Sequence, residues 1–282
     1  MTKKTKNGPS FSFWETQTYF TNIDLIVIGS GIVGLNAAIS YHEKYPKSKI
    51  LVLDRGILPL GASTKNAGFA CFGSVSELQA DLKNTSEDSV WKTVEMRIKG
   101  LELLRNRLSD KQINYKEFGG FELFDNKNSF EKCVESIDEF NHKIKSFVGY
   151  KNTYSIASNH IKHFQFKNVK GLILNRKEGQ IDTGMMISNL IKLANSKGII
   201  ILNSIAVNAI NDLRSGVALS TSIGDLRAKH IIVATNAFAN ELLKIDDLKP
   251  ARAQVLITKP LLRDLQLKAH FTTREVIIIL EM

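Results

Sequence analysis

A chain of 282 residues is long enough to bury a sizeable core and to form two domains. Its apolar fraction of 43% and charged fraction of 23% suit an ordinary soluble protein. The net charge of +10 comes mainly from lysines spread along the chain, so solvated lysines or an anionic cofactor are favoured over a nucleic-acid-binding surface.

Two cysteines, Cys71 and Cys133, are too few for a disulfide framework and fit a reducing cytoplasm. The first ten residues are polar and contain no apolar signal core. The longest apolar stretch, around residues 25–39, is interrupted by three glycines and an asparagine, so no membrane span is predicted. We therefore expect a cytoplasmic protein.

The N-terminal arm is predicted to cover residues 1–23, with residues 1–10 disordered. Five aromatic residues follow within a short segment, namely Phe11, Phe13, Trp14, Tyr19 and Phe20. The favoured interpretation is that this segment packs on the surface of the next domain; the alternative is that it contacts a partner.

Residues 24–54 have a strand–turn–helix–strand pattern. An apolar run, Asp24–Ile28, leads into G-x-G-x-x-G, then into helix-compatible residues 35–45, and a second apolar strand, Ile50–Leu53, ends at Asp54. This context is typical of a dinucleotide-binding fingerprint, whereas a glycine pattern alone is weak evidence. The alternative, a plain turn in an α/β protein, is disfavoured.

The glycines of this pattern have separate expected roles. Gly29 permits a tight turn, Gly31 lets the backbone approach a pyrophosphate, and Gly34 lets the helix pack against the strand. Unpaired N–H groups at the helix N-terminus then face the phosphates. Asp54 is expected to accept hydrogen bonds from a ribose diol.

A polar, glycine-rich loop follows Asp54 and reads RGILPLGASTKNAGFACFGS. Because it comes one strand after the fingerprint, we expect it to line the cofactor rather than only connect two elements. Ser63 and Thr64 offer hydroxyl groups to phosphate oxygens, and Lys65 offers a positive charge.

Residues 77–108 are predicted to be helical in one or two pieces, with an apolar stripe every three to four residues. A strand entered through glycines follows at 118–124, and an amphipathic helix covers 129–147. His160 and His163 lie three residues apart, but no acid or cysteine nearby completes a ligand set, so no metal site is predicted.

Residues 179–210 return to an α/β pattern. A helix begins near Asp182 or Thr183 as the N-cap and ends at Gly198. Strands are predicted at Ile199–Leu202, around Ile205, Val207 and Ile210, and at Lys229–Ala234, the last followed by Thr235, Asn236 and Ala237.

Six segments together resemble the D-amino acid oxidase / glycine oxidase family of FAD-dependent amine and amino-acid oxidoreductases. They are Gly29–Gly34, Asp54–Gly56, Gly61–Gly68, Gly179–Asp182, Ile231–Ala237 and Pro250–Thr258, in the family's order within residues 24–268. The A-S-T-K-N-A-G loop is the most specific, and it looks more like the bacterial amine-oxidising branch, such as glutamylputrescine-type oxidoreductases, than like D-amino acid oxidase itself.

The resemblance implies an α/β fold with a Rossmann-like FAD-binding domain and an interleaved α+β substrate domain that is incomplete at its C-terminal end. The FAD-binding domain would be discontinuous, over 24–76 and 176–240, and the substrate domain would cover 77–175 and 241–268. Cys71 does not match the flavin-linked cysteine of sarcosine-oxidase relatives, so non-covalent FAD is expected.

The resemblance also implies the cofactor-binding residues. They are Gly29, Ser30, Gly31, Ile32, Val33 and Gly34 at the pyrophosphate; Asp54 and Arg55 near the AMP ribose; Ala62, Ser63, Thr64, Lys65, Asn66, Ala67 and Gly68 along the phosphates and flavin; Val207 at adenine; and Ala234, Thr235 and Asn236 after the last cofactor strand. The family's acid is often glutamate, so Asp54 is a mild departure.

The implied reaction is oxidation of a C–N bond, in which hydride passes to flavin N5 and water hydrolyses the imine. The partners would be a small amine or amino acid and either oxygen or an electron carrier; no nucleic acid is expected, and no catalytic residue is assigned. Two alternatives remain, an inactive truncated fragment and an NAD-dependent dehydrogenase, and the 61–68 loop disfavours the dehydrogenase.

The last stretch, residues 269–282, reads AHFTTREVIIILEM and departs from the family's glycine and aromatic-rich strand. Restoring one base after Lys268 permits Gly-Thr-Phe-His-Tyr-x-Arg-Gly-Tyr-Tyr-Tyr-Phe-Arg-Asn, which looks like that strand. We therefore interpret 269–282 as an out-of-frame tail and expect the 282-residue product to hold FAD weakly or not at all and to lack oxidase activity. Reading the coding DNA past Lys268 tests this interpretation.

Overall fold

The computed structural model describes residues 9–245 and 247–251, together with strand residues 255–257, 270–272 and 277–279. Residues 1–8 of the predicted arm and most of the predicted out-of-frame tail lie outside the described residues. The chain divides into two compact units. The first unit comprises Met1–Lys65 and Met186–Arg252, and the second comprises Asn66–Met185 and Ala253–Met282.

Strands and helices alternate along much of the chain, which confirms the predicted α/β class. The strands are β1 (Ile23–Ile28), β2 (Ile50–Leu53), β3 (Phe69–Ala70), β4 (Gly120–Phe124), β5 (Tyr154–Ile156), β6 (Gly171–Asn175), β7 (Gly179–Gln180), β8 (Ile200–Leu202), β9 (Val207–Asp212), β10 (Val217–Thr221), β11 (Gly224–Val233), β12 (Val255–Ile257), β13 (His270–Thr272) and β14 (Ile277–Ile279). The helices are α1 (Phe13–Glu15), α2 (Ile32–Lys44), α3 (Val75–Asn84), α4 (Glu87–Arg107), α5 (Asp110–Ile113), α6 (Lys127–Glu135), α7 (Ile137–Val148), α8 (His160–His163), α9 (Thr183–Ser196) and α10 (Ala239–Leu243). A π-helical turn, Thr16–Phe20, continues α1, and a 3-10 turn, Asn236–Phe238, precedes α10.

The first unit is built on a six-stranded sheet in the order β8-β2-β1-β11-β10-β9. Its first four strands are parallel, and β11, β10 and β9 are joined antiparallel. Ile28 lies beside Leu53 on one side and beside Val233 on the other. Three parallel strands therefore end at the same edge of the sheet, which is where Rossmann-like folds bind their ligands.

The predicted elements of the first unit are confirmed with shifted ends. Helix α2 begins at Ile32, three residues before the predicted start, because the glycine turn leads directly into it. The strand predicted at 229–234 is longer and begins at Gly224, after a hairpin from β10. This hairpin was not predicted, because its alternating exposed residues give a weaker signal than the continuous apolar run of β1.

The second unit contains a sheet in the order β12-β14-β13-β4-β6-β5 and a two-stranded sheet of β3 and β7. Strands β13 and β14 fall within residues 269–282, whose reading frame stays a prediction. The boundaries and roles predicted for the FAD-binding and substrate domains also stay predictions.

One helical prediction for the second unit is confirmed, and another is wrong in its number of helices. The predicted helical stretch 77–108 forms two pieces, α3 and α4. The single helix predicted over 129–147 is instead two helices that meet at Ser136. The Ser136 hydroxyl accepts a hydrogen bond from Gln79 Nε2 at 2.7 Å, so a contact distant in sequence marks the position where α6 ends.

Two acidic side chains are buried in the second unit, Glu122 and Glu178. Glu122, in the middle of β4, is 7% exposed. Its carboxyl accepts hydrogen bonds from the Ser74 hydroxyl at 3.2 Å and from the Ser76 N–H at 3.4 Å, both at the N-terminal end of α3. Burial raises the pKa of Glu122 above its usual value, while these hydrogen bonds act in the opposite direction.

We predict that Glu122 makes the protein less stable as pH rises. The folded state keeps the Glu122 proton at a pH where the unfolded state has lost it, so the unfolding free energy falls from the ordinary glutamate pKa, about 4.3, up to the raised pKa. The Glu122→Gln variant has no carboxyl group to titrate at this position, so its unfolding free energy lacks this pH-dependent fall. Relative to wild type, the variant should therefore become more stable as pH rises. The midpoints of urea unfolding across this pH range measure the difference, and Glu102→Gln, at an exposed position, is the control. A constant difference between wild type and Glu122→Gln would contradict the prediction.

Candidate functional site

The first part of the site is the turn at the end of β1. The Gly29 N–H donates to Leu53 O at 2.7 Å, and the Ala234 N–H donates to Ile28 O at 2.8 Å, so the turn lies between the ends of β2 and β11. Gly29 has φ +105°, and a Cβ there would be 2.6 Å from Ala234 O. Only glycine fits this position without displacing backbone.

The two other glycines of the turn bring α2 close to β1. A Cβ on Gly34 would overlap Gly29 O, so the first turn of α2 lies directly against the backbone of the loop. A Cβ on Gly31 would be 2.8 Å from Ser63 Oγ. The predicted reasons for Gly29 and Gly34 therefore match close contacts in the structure.

The N-terminus of α2 already holds an oxygen acceptor. The Ile32 N–H donates to Ser63 Oγ at 2.9 Å, which places the 61–65 loop across the start of the helix. A helix N-terminus favours an anion because its first N–H groups lack intrahelical partners and carry partial positive charge. The Ser63 hydroxyl oxygen thus occupies the kind of position that a phosphate oxygen takes at such a helix.

Asp54 organises the loop from the opposite side. Its Oδ2 accepts hydrogen bonds from the Ser30 N–H at 2.9 Å and the Ser30 hydroxyl at 2.7 Å, and its Oδ1 accepts from the Gly56 N–H at 2.9 Å. An ionised carboxylate has about four acceptor positions, so these three bonds leave room for a ribose hydroxyl. Sequence reasoning predicted the ribose role but missed the bonds that connect Asp54 to Ser30.

Arg55, the next residue, is engaged with a segment distant in sequence. Its guanidinium lies 4.3 Å from the ring centroid of Phe238 and 3.7 Å from a Glu241 carboxylate oxygen. The contacts of Arg55 with Phe238 and Glu241 were not predicted. The sequence offers one weak signal for them, an aromatic residue directly after the Thr235–Ala237 segment. The arrangement gives the edge of the site one cation, one anion and an apolar ring.

The remaining predicted residues of the first unit are distributed around this edge. Val33 is 66% exposed at the start of α2, and the Thr64 hydroxyl donates to Pro59 O at 2.8 Å. Val207 begins β9, two residues after Ile205, whose N–H donates to Asp54 O at 2.8 Å. The other members are exposed Ala62, Lys65 and Asn236, half-buried Ala234, and Thr235, whose buried hydroxyl has no hydrogen-bond partner among the described residues.

Three predicted residues, Asn66, Ala67 and Gly68, belong to the second unit. The Gly68 N–H donates to Asn66 Oδ1 at 2.8 Å, and Gly68 O accepts from the Ile181 N–H at 2.7 Å. Gly68 has φ +71°, and Ile181 O leaves no space for a Cβ there. Gly68 is therefore held against the Gly179–Asp182 segment, as two of the family-like motifs meet.

The residues of the first unit fit the adenosine and pyrophosphate part of FAD. The strand ends and the glycine turn leave backbone exposed beside a helix N-terminus, and Asp54 supplies acceptor oxygens one strand away. The Ser63 hydroxyl, which accepts from the Ile32 N–H, brings a polar side chain to this helix N-terminus.

Among the described residues, no group of three or more histidine, cysteine or acidic side chains is arranged to hold a metal ion. The His160 ring stacks on Phe164 with ring centroids 5.8 Å apart and lies 5.7 Å from the Phe121 ring. No helix in the same part of the chain has the length and apolar character to cross a bilayer.

Comparison with known proteins agrees with this geometry. A family model described as FAD dependent oxidoreductase matches residues 24–280. Among curated proteins, the probable oxidoreductase OrdL of Haemophilus influenzae (strain ATCC 51907 / DSM 11121 / KW20 / Rd) is 24% identical over 252 residues, which cover 86% of this chain and 57% of that protein. The chain therefore spans little more than half the length of this relative.

Solved structures share the fold. Glycine oxidase from Geobacillus kaustophilus superimposes with a TM-score of 0.63 at 18% identity, over 89% of this chain and 66% of that one. L-proline dehydrogenase from P. horikoshii gives a TM-score of 0.62 at 16% identity, over 90% and 64% of the two chains. At these identities the likeness establishes the fold and carries no residue-level assignment.

Proposed function

Because this chain belongs to the family of FAD-dependent oxidoreductases, we propose that it binds FAD non-covalently and takes part in oxidising the C–N bond of an amine or amino acid. The observation that carries the cofactor proposal is the shared edge of β1, β2 and β11. There Gly29–Gly34, Asp54 and Ser63 converge around the N-terminus of α2.

Each residue at this edge has a distinct proposed task. The α2 N-terminus and the Ser63 hydroxyl bind the pyrophosphate oxygens, and Gly31 keeps the backbone free of a side chain at that point. Asp54 orients the ribose while its bonds to Ser30 fix the loop. When bound, FAD supplies the acceptor for a hydride from the carbon that bears the amine.

The substrate class is proposed from the fold relatives. Glycine oxidase and L-proline dehydrogenase are named for α-amino acids with a primary and a secondary amine, respectively. We extend this to a primary or secondary amine, with or without a carboxylate, and to oxygen or an electron carrier as acceptor. No described residue is assigned as catalytic, because substrate anchors in this family usually sit in the later part of the substrate domain.

A cofactor titration tests the first part of the proposal. Protein whose reading frame is restored after Lys268, incubated with FAD and freed of excess cofactor, should be yellow, with absorption bands at about 370 and 450 nm. The 282-residue chain should retain less FAD. Quenching of flavin fluorescence gives the dissociation constant. A protein that binds NADH tightly but not FAD would instead support an NAD-dependent dehydrogenase, and one that binds neither would support an inactive fragment.

We predict that Asp54→Ala weakens FAD binding about 10- to 150-fold, since hydrogen bonds to a charged group contribute roughly 1.5–3 kcal/mol. FMN lacks the AMP half, so its binding should change less than that of FAD. Asp225→Ala, which removes an exposed carboxylate of β11, is the control and should bind FAD as wild type does. An unchanged FAD dissociation constant for Asp54→Ala would refute the ribose assignment.

The substrate proposal is tested on protein loaded with FAD. Under anaerobic conditions, a panel of primary amines, secondary amines and α-amino acids is mixed with the protein, and loss of the band near about 450 nm reports reduction. Reduction by at least one member is expected when the reading frame after Lys268 has been restored, and no reduction is expected of the 282-residue chain. If FAD binds but no member reduces it, the substrate class is wrong while the cofactor assignment stands.

A further inference from the structure

A short aromatic segment of the first unit has no role in the cofactor site. We call residues Phe11–Phe20 the aromatic segment. Trp14 is 75% exposed and Phe13 is 66% exposed, and the two rings lie edge to face at 5.2 Å. Phe11 and Tyr19 are less exposed, at 37% and 41%, and only Phe20 packs against the core of the first unit. The sequence-based expectation of surface packing therefore applies to Phe20 and not to Phe13 or Trp14.

The backbone of the segment is fixed, so these rings face solvent from an ordered support. Ser12 and Glu15 form a reciprocal capping box at its start, with hydrogen bonds of 3.2 and 2.7 Å. At its end, Lys49 Nζ donates to Thr21 O at 2.8 Å and to Gln17 O at 3.4 Å. Exposing two large apolar rings on a capped helix opposes the hydrophobic effect unless something covers them.

Charge indicates what covers them. Three lysines, Lys3, Lys4 and Lys6, precede the segment in the sequence, and Glu15 is the only acidic residue among the first 22. Glu15 is itself engaged in the capping box. The whole chain carries a net charge of +10. An exposed aromatic surface in a segment that follows basic residues in the sequence is complementary to an anionic interface with an apolar layer beneath it.

We propose that the aromatic segment docks this protein on the surface of an anionic lipid bilayer, with Phe13 and Trp14 entering the interface. Aromatic side chains favour this depth, and lysines that precede such a segment in the sequence are attracted to anionic headgroups. A protein partner fits less well, because the two strongly exposed rings, Phe13 and Trp14, would bury about 150–250 Å² each, which falls short of the about 800 Å² per partner of a stable interface. The proposal does not depend on FAD binding.

Vesicle binding tests the proposal with the full chain. The protein is sedimented with vesicles of phosphatidylcholine alone and with vesicles that contain phosphatidylglycerol. We expect binding only to the anionic vesicles, and weaker binding as salt increases. The double variant Phe13→Ser/Trp14→Ser should reduce vesicle affinity at least about tenfold, which corresponds to about 1.4 kcal/mol. Met96→Ser, which removes an apolar side chain that is 64% exposed in α4, is the matched control and should bind like wild type.

A spectroscopic measurement on the wild-type chain avoids dependence on the variants. The chain has two tryptophans, and Trp91 is 7% exposed. Anionic vesicles should therefore shift the emission of Trp14 to shorter wavelength, and brominated lipid should quench it. Equal binding to both vesicle types, or an unaffected double variant, would overturn the proposal. So would a concentration-dependent dimer that the double variant abolishes, because the segment would then contact a second copy of the chain.

Discussion

Replacing Gly34 by alanine should destabilise the first unit more than any other single methyl group added at this edge. The new Cβ would overlap Gly29 O, a backbone atom, and would lie 3.2 Å from Val27 Cγ1. Gly29 cannot shift easily, because its N–H is bonded to Leu53 O and the chain beside it is Ala234. Helix α2 must therefore move away from β1, and we expect a loss of about 3 kcal/mol or more, at the upper end of overpacking effects.

Urea unfolding followed by far-UV circular dichroism measures this loss. The control is Gly100→Ala in α4, where an added Cβ meets no atom within 4 Å. Alanine is the better helix former by about 1 kcal/mol, so Gly100→Ala should be slightly stabilising. Gly34→Ala with wild-type stability would mean that α2 does not pack as closely on the loop as the structure shows.

Replacing Gly31 by valine should abolish FAD occupancy while leaving the fold largely intact. The added Cβ would be 2.8 Å from Ser63 Oγ, the end of a side chain that can rotate, so the protein can accommodate it. The Ile32 N–H then loses its acceptor, and the branched side chain fills the space beside the helix N-terminus. The pyrophosphate would then lose the charge-assisted hydrogen bonds proposed from the N-terminus of α2 and from the Ser63 hydroxyl. Loss of two such bonds predicts at least about 100-fold weaker FAD binding.

Flavin fluorescence titration and far-UV circular dichroism separate these two effects. Gly61→Ala, in the same loop as Ser63, is the control, because a Cβ there meets no atom within 4 Å. It should bind FAD as wild type does. Wild-type FAD affinity in Gly31→Val would contradict the assignment of the glycine turn to the pyrophosphate.

The sequence predicted the strands and the helix that meet at this edge because its signals are local. The spacing of Gly29, Gly31 and Gly34 and the apolar runs of β1 and β2 all fall within about thirty residues, and strand ends in a parallel sheet meet at one edge. The structure confirms β1, β2 and α2, which this periodicity predicted.

The contacts that complete the edge join residues far apart in sequence. Ser63 bonds to Ile32, and Arg55 contacts Phe238 and Glu241, and no periodicity encodes such pairs. Glu122 is a second case, because an acid in the middle of a strand normally indicates an exposed face. Its burial depends on the serines at the start of α3, which pattern reasoning treats as a simple helix cap.

The position of β1 between β2 and β11 has a kinetic consequence. Ribosomal synthesis delivers β1, α2 and β2 early, and their contacts are local enough to form quickly. Val233 and Ala234, which complete the turn at Gly29, emerge only after the intervening second-unit residues have been made. During that interval β1 has an unpaired edge, which is a site for aggregation. Nascent chains stalled before β11 should therefore be protease-sensitive at β1, and chains stalled well beyond it should be protected.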